Sequence, residues 1–494
     1  MPRLLSLSRA AKLVGISRGA MQKKIVDHEL ESFEGQVSLD DIERVFPDVQ
    51  LDDNHIIEDM ERIIEHALKR ARGEKLATLL APDTHTLAAR LHAINNDYAR
   101  AKNQIKAYNK IFTELQQHIS ELAANSDKPY LFTDLNNWID DSIHKIQLPE
   151  ASTSSLLAKD TILRVMAAQV HIKNTGHEYF VDGNNSILEA GLSAGLALNY
   201  GCSNGNCGKC KARLLSGEIS KTRPHDYVFS ESEKLQNYFL CCSYTAVTDI
   251  EIEADEADSE KDIPQQAISA KVKKAEQITD NVLILNLKTP RTNRLRFLAG
   301  QNVELKRGDF PAMIIPIASC PCDDMNIQFH ISRQDENPFI HYLYHELNTS
   351  DSIEINGPSG SFILDEDSND PILFIAFDTG FAPIKSLIEH AITLEHAESI
   401  HLYWLHSAEK PYMHNQCRAW EDALDNFSYQ HQQCDVSADN QVNNKLDLLL
   451  QHYKELSKMN IFICGSEDMV KITEQFMLDH NIDGKRLKSQ IILD

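Results

Sequence analysis

Three cysteines on one short loop, with a fourth far along the chain, constrain this sequence more than any other feature. Cys202, Cys207 and Cys210 are spaced C-x4-C-x2-C, and Cys242 follows after 31 intervening residues with Cys241 beside it. Zinc ligands come as two separated pairs rather than as three on one loop. A [2Fe–2S] cluster needs four thiolates, and this spacing suits it. Gly205 and Gly208 let the loop curl so that amide N–H groups point at the sulfurs. A fold carrying such a loop must bring a distant strand end back to it. Spacing alone leaves Cys241 and Cys242 both open as the fourth ligand.

At 494 residues the chain exceeds what one core supports, and several domains are expected. No apolar run reaches the length of a membrane span, and the ten cysteines do not form a secreted disulfide framework. A cytoplasmic protein is expected. The net charge of −24 argues against a surface that binds nucleic acid as a whole. Residues 1–26 differ: they carry Arg3, Arg9, Lys12, Arg18, Lys23 and Lys24 and no acid.

The chain divides into blocks at 1–48, 49–125, 126–167, 168–255, 268–366 and 367–494. In the first, Ser8 caps a helix through Ala10, Ala11 and Leu13, Gly15 makes a turn, Ser17 caps a second helix, and Glu34-Gly35 forms a hairpin tip. In the second, Leu87, Leu91, Ile94, Tyr98, Ala101, Ile105, Tyr108, Phe112, Leu115, Ile119 and Leu122 alternate spacings of four and three, a heptad pattern. A homodimer through a coiled coil is expected, with an intrachain hairpin against residues 53–72 as the alternative. Residues 126–167 read as a polar linker, across which few contacts should run. The third block reads as strands, a short helix near Ile187–Ala194, the cysteine loop and a closing strand at Thr248–Glu253. Residues 268–366 alternate short strands and turns, as in an antiparallel barrel, and 367–494 follow a parallel βα pattern. The fold class is thus multidomain: an all-α N-terminal region, a β-grasp block, an antiparallel β-barrel and an α/β domain.

The run Ala10-Ala11-x-x-Val14-Gly15-Ile16-Ser17 resembles the winged helix-turn-helix of the MerR and excisionase type, in which the second helix enters a DNA groove. By that resemblance Arg18, Lys23 and Lys24 would meet DNA. A role in docking a partner is expected ahead of DNA binding.

The cysteine loop is that of plant-type ferredoxins. The context Leu240-Cys241-Cys242 resembles their Leu-Ala-Cys, which makes Cys242 the ligand and Cys241 the small filler. From residue 168 onward the chain resembles the electron-transfer reductases of multicomponent oxygenases and of CDP-glucoseen reductases. The motifs are Gly300-Gln301, Ile317-Ala318-Ser319, Gly357-Pro-Ser-Gly360-Ser-Phe362, Thr379-Gly380-Phe-Ala382-Pro383, Tyr412 and Cys464-Gly465. The resemblance implies ferredoxin, FAD and NAD(P)H domains in that order, and single electrons passed to an acceptor protein. It assigns flavin or nucleotide contacts to those positions and no proton-transfer catalyst.

Departures fall on the cofactor grips. The family's Arg-x-Tyr-Ser reads Met313-Ile-Ile315-Pro316, and its Gly-x-x-Ser reads Asn337-Pro-Phe-Ile340. Met313 cannot grip a diphosphate as Arg does, Ile315 offers only apolar area, and Pro316 lacks a hydroxyl and an N–H. FAD is therefore expected to be held weakly. Phe377-Asp378 replaces Gly-Gly, Ser407 replaces an Arg, and no Ser-Arg pair lies near Cys434-Asp435. NADH is thus expected rather than NADPH. Cys320, Cys322, Cys417 and Cys434 are expected as ordinary thiols.

Overall fold

The computed structural model describes residues 4–46, 84–124, 130, 134–139 and 163–492, apart from 17, 28, 31, 34, 35, 184, 258, 291, 292, 335, 366, 367, 395, 396, 435–438, 454 and 455. The Ser17 cap, the hairpin tip at 34–35, the helix at 53–72 and most of the linker lie outside those residues.

The N-terminal head holds helices α1 (Leu7–Val14), α2 (Arg18–Val26) and α3 (Leu39–Val45). A small antiparallel sheet of β1 (Leu4–Ser6), β2 (Ser32–Phe33) and β3 (Gln36–Ser38), in the order β1-β3-β2, means that the region is not all-α. Helix α1 starts two residues earlier than expected, because Ser6 rather than Ser8 caps it by accepting from Arg9 N at 3.3 Å. Gly15 ends it with φ +81°, a conformation that suits glycine.

Helix α4 (Thr84–Ala124) is 41 residues long, about 60 Å at 1.5 Å per residue. Its heptad positions are largely in the open: Leu91 is 54%, Tyr98 64%, Ile105 59% and Leu122 57% exposed. The base of the helix is different. Arg90 is 1% exposed, and its guanidinium donates to the carbonyls of Met166 (2.6 Å), Val165 (3.2 Å), Val181 and Ala246 (both 3.1 Å).

The next sheet runs β5-β4-β10-β6-β8, from β4 (Ala167–Ile172), β5 (Glu178–Asp182), β6 (Lys211–Ser216), β8 (Tyr238–Leu240) and β10 (Ile250–Ala254). Strands β7 (Ile219–Lys221) and β9 (Tyr244–Ala246) pair apart from it. Helix α5 (Ile187–Ser193), opened by a Ser186–Glu189 capping box, covers one face.

The head docks on this sheet, so contacts do cross where few were expected. Arg9 Nη1 pairs with Asp249 at 2.7 Å, Ser6 accepts from Gln169 Nε2 at 2.6 Å, and Lys12 lies 4.2 Å above the Phe180 ring. Lys23 pairs with Glu398 of the C-terminal domain. A charge assigned to DNA is thereby engaged within the chain.

A near-closed antiparallel barrel follows, ordered β14-β13-β16-β11-β12-β15. Its strands are β11 (Gln266–Thr279), β12 (Val282–Lys288), β13 (Asn302–Lys306), β14 (Met313–Pro316), β15 (Asn326–Ser332) and β16 (Ser352–Ser359). The last unit is a parallel sheet, β19-β18-β17-β20-β21. It comprises β17 (Ile372–Phe377), β18 (Ile400–His406), β19 (Phe427–Gln433), β20 (Asn460–Gly465) and β21 (Leu487–Ile491). Every residue of β17 is buried, as a central parallel strand requires. The strand order reverses between β17 and β20, where ligands of open α/β sheets bind beyond the strand ends. Among the described residues no helix is long and apolar enough to cross a membrane.

Candidate functional site

The cysteine loop lies between α5 and β6. Gly205 (φ +84°) and Gly208 (φ +74°) adopt conformations that side chains avoid, and neither has room for one. A Cβ on Gly208 would fall 2.2 Å from the Tyr227 ring. The curl aims the N–H groups of Asn206 and Cys207 at Cys202 Sγ, each at 3.3 Å, and Cys202 N at Cys207 Sγ at 3.4 Å. Burial would raise the Cys202 thiol, but the Asn204, Cys207 and Asn206 hydrogen bonds outweigh it and bring the thiol below its ordinary value.

Cys210 and Cys242 face each other with their sulfurs 3.2 Å apart. The hydrogen bond from Cys210 holds the Cys242 thiol down and pushes that of Cys210 up. Cys241 packs in the hydrophobic core, and burial raises its thiol. The cysteines thus stand as two pairs, 202/207 and 210/242. Among the described residues no three His, Cys, Asp or Glu side chains converge as a single-ion site. A two-iron cluster spreads its ligands more widely, and the donor set and the glycine curl fit it.

Just ahead of the loop, Tyr200 ties it to the barrel. Its hydroxyl donates to Asp324 at 2.6 Å, Arg294 pairs with the same carboxylate at 3.1 Å, and Arg296 reaches Asn199 at 2.7 Å.

Between the barrel and the α/β domain lies a cleft of about 240 Å³. Its walls are chiefly Met313, Ile315, Ile331, Ile340, Ile491 and Ile492, with Asn302, Ser332, Thr379 and Gln490 as polar points. Ser332 and Thr379 share a 2.7 Å hydrogen bond across it. His330 stands at the wall between Gln328 Oε1 (3.1 Å, accepting from Nε2–H) and the Tyr412 hydroxyl (2.9 Å, donating to Nδ1). Burial, followed by the Lys385 charge, holds it well below the ordinary histidine range.

The residues present do not fit the diphosphate of FAD. No Arg or Lys is among the described residues lining the cleft. Helix α7 (Pro338–His345; α6 is Glu231–Leu235) meets the cleft in its first turn, through Ile340, and a helix N-terminus is where a phosphate would be held. The Asn337 carboxamide already accepts from Phe339 N at 2.9 Å and Ile340 N at 3.2 Å.

Of the flavin and nucleotide positions whose motif residues are kept, Thr379 alone lines this cleft, beside the substituted flavin positions Met313, Ile315, Pro316 and Ile340. Gly300, Gln301, Gly360 and Phe362 instead make a joint: Gln301 Nε2 donates to Gly360 O at 3.2 Å, and a Cβ on Gly300 would strike Phe362 O. Ile317, Ala318 and Ser319 form the same seam, where Ser386 of helix α8 (Phe381–Leu394) donates to Ser319 O at 2.7 Å. Gly357 packs against Val303. At the sheet's switch point Gly380 crosses Cys464 so closely that a Cβ would lie 2.2 Å from its carbonyl, and Gly465 is pressed against Phe377. Ala382 and Pro383 are buried in the first turn of α8. Asp378 (φ +43°) accepts from Ser407 N at 2.8 Å and Oγ at 2.9 Å, closing the gap where an Arg was missing. Asn302, His330, Gln490 and Ile492 were not singled out from sequence, since no motif marks them. Cys320 and Cys322, expected as thiols, stand side by side with Cα atoms 5.2 Å apart.

The two sites define an iron–sulfur oxidoreductase built of a ferredoxin domain and a nicotinamide-type reductase module. Residues 170–247 match the 2Fe-2S iron-sulfur cluster binding domain, and residues 374–475 match the oxidoreductase NAD-binding domain. Among its relatives is the CDP-6-deoxy-L-threo-D-glycero-4-hexulose-3-dehydrase reductase of Yersinia pestis, 28% identical over 64% of this chain and 96% of that protein. Reductase component 1 of terephthalate 1,2-dioxygenase from a Comamonas species is 28% identical over 62% of this chain and 91% of its own. A crystal structure of the Amycolatopsis cytochrome P450 reductase aligns over 66% of this chain and 98% of its own, at 22% identity and a TM-score of 0.41.

Proposed function

We propose that this protein is an NADH-dependent electron-transfer component of the cytoplasm, passing electrons from NADH, by way of a loosely held flavin that would divide the hydride's electron pair, through a [2Fe–2S] cluster and singly on to a partner metalloprotein. Cys202, Cys207, Cys210 and Cys242 hold the cluster, which supplies reversible one-electron chemistry when bound. The observation that carries the reading is the curled loop itself. Its glycines exclude side chains, its N–H groups are aimed at sulfur, and Cys207 is exposed where a partner can approach. The relatives are reductases that serve a dehydrase and a dioxygenase, and the acceptor here is of that oxygenase-like or metalloprotein class.

Thr379, Gly380, Ala382, Pro383, Cys464 and Gly465 form the nucleotide crevice. Gly380 and Gly465 provide its close backbone crossing. The chain is divided into units at 1–48, 49–125, 126–167, 168–255, 268–366 and 367–494. A second copy covers the open apolar seam of α4, whose five heptads suffice to pair two helices. The head acts as an internal docking module, with Arg9, Lys12 and Lys23 engaged by acids of the neighbouring domains.

Anaerobic titration with NADH, with flavin supplied, tests the function. Cluster absorbance should bleach with NADH as it does with dithionite. A cluster that dithionite bleaches and NADH leaves oxidised would sink the NADH arm. Sedimentation equilibrium tests the seam: a monomer would overturn the dimer.

A further inference from the structure

Residues 222–229 form a strap across the cysteine loop. At one end the N–H groups of Thr222 and Arg223 donate to Ser243 O (2.9 and 3.2 Å), next to Cys242. At the other, Tyr227 N donates to Gly205 O at 3.3 Å, inside the loop. The strap is thus hydrogen-bonded to both segments that carry the cysteines. His225 lies between the two anchors. A Cβ built on Gly205 would fall 2.4 Å from His225 Cβ and 3.0 Å from Ser243 Oγ, and Ser243 Oγ lies 3.6 Å from Cys242 Sγ. Phe229 and Tyr244 pack around the ring at 5.9 and 6.1 Å between centroids.

Held this closely, the His225 Nδ1 atom is buried and has no hydrogen-bond partner among the described residues. Ser203 Oγ, in the loop itself, is in the same condition. Buried donors of this kind are ordinarily paired. The acceptors that belong at this corner and are not protein oxygens or nitrogens are the sulfurs of the cluster.

We infer that His225 is a positioning residue that donates its Nδ1–H to a sulfur of the cluster site and raises the cluster's reduction potential. The inference rests on the cluster reading above. The physical reason is charge: reduction adds an electron that spreads onto the sulfurs, and a fixed N–H dipole aimed at them favours the reduced state. Tyr227 and Phe229 then serve to hold the strap, not to tune the iron.

Redox titration of the purified full chain, followed by EPR of the reduced cluster, tests this, with iron and sulfide measured in every sample. His225→Phe keeps a ring and removes the donor. It should make the cluster about tenfold harder to reduce, a fall of about 59 mV for one electron. His225→Asn, whose amide reaches nearly the same point as Nδ1, should stay near the wild-type potential. A His225→Phe potential equal to wild type, or an equal fall in both variants, would overturn the proposal and leave the ring as packing alone. If His225→Phe fails to hold iron, the wild type decides the matter. With 15N-labelled histidine, pulsed EPR of the reduced cluster should show coupling to a histidine nitrogen, and its absence contradicts the inference. Wild-type protein without iron and sulfide would instead overturn the cluster reading itself.

Discussion

The ferredoxin domain and the barrel are neighbours joined through Tyr200 and Asp324, and they keep their chemistry in different ways. In the ferredoxin every feature of the loop has a use: two glycines without room for a Cβ, N–H groups on sulfur, and a strap tied at both ends. In the barrel the architecture stands while the charged grip is gone. Met313 and Pro316 line an uncharged cleft, and Asn337 consumes the helix N-terminus. A strand order survives many substitutions because backbone hydrogen bonds and apolar burial define it. A diphosphate site depends on a few charges, each contributing about 1.5–3 kcal/mol. Fold likeness thus carries the scaffold over more readily than the charges that grip a cofactor.

The sharpest way to break the contrast lies in the loop. Cys242→Ser should abolish or reshape the cluster's visible absorption and EPR signal, whereas Cys241→Ser, a change in the core beside it, should leave both. The opposite outcome would reverse the ligand assignment. Next in size is the pin that fastens the long helix to the ferredoxin sheet. Arg90→Ala strands four carbonyls and should destabilise the domain by at least about 3 kcal/mol, judged from hydrogen bonds to charged groups. For a domain of this size that lowers the thermal midpoint by roughly 10 °C or more, read by calorimetry. An unchanged midpoint would show that the pin is incidental.

On the barrel side the contrast can be reversed by design. Met313→Arg, combined with Asn337→Gly to reopen the helix N-terminus, should raise FAD affinity by roughly 10- to 100-fold, corresponding to one or two charge-assisted contacts. Fluorescence quenching of added FAD measures it, and no gain would mean that the cleft excludes the flavin by shape as well as by charge.

The smallest effect expected is with pH. His330 is neutral in the folded state, its pKa lowered chiefly by burial. Below the ordinary histidine value of about 6.5 the unfolded chain binds a proton that the folded one refuses. Stability is therefore full above that pH and falls as the solution is acidified. His330→Gln should flatten this part of the urea-midpoint profile between pH 7 and 5.

The cluster site was legible because its chemistry demands fixed residue types at fixed spacing. The eroded flavin motifs were legible for the same reason, as absences at known offsets. What escaped was long-range. Nothing around Arg90 announces that carbonyls at 165, 166, 181 and 246 will surround it, and nothing marks Arg9 for Asp249. The strap's His225 carries no motif, and its place follows from backbone bonds to Ser243 and Gly205. The capping error at α1 is of another kind. Ser6 and Ser8 are both competent caps, and propensity alone could not choose between them.

One assay weighs both regions at once: iron, sulfide and flavin content of the same full-length preparation after gel filtration. This account predicts two irons and two sulfides per chain with flavin far below one equivalent. One FAD per chain surviving the column would contradict it, and would mean that the barrel holds its cofactor by contacts other than the charges it has lost.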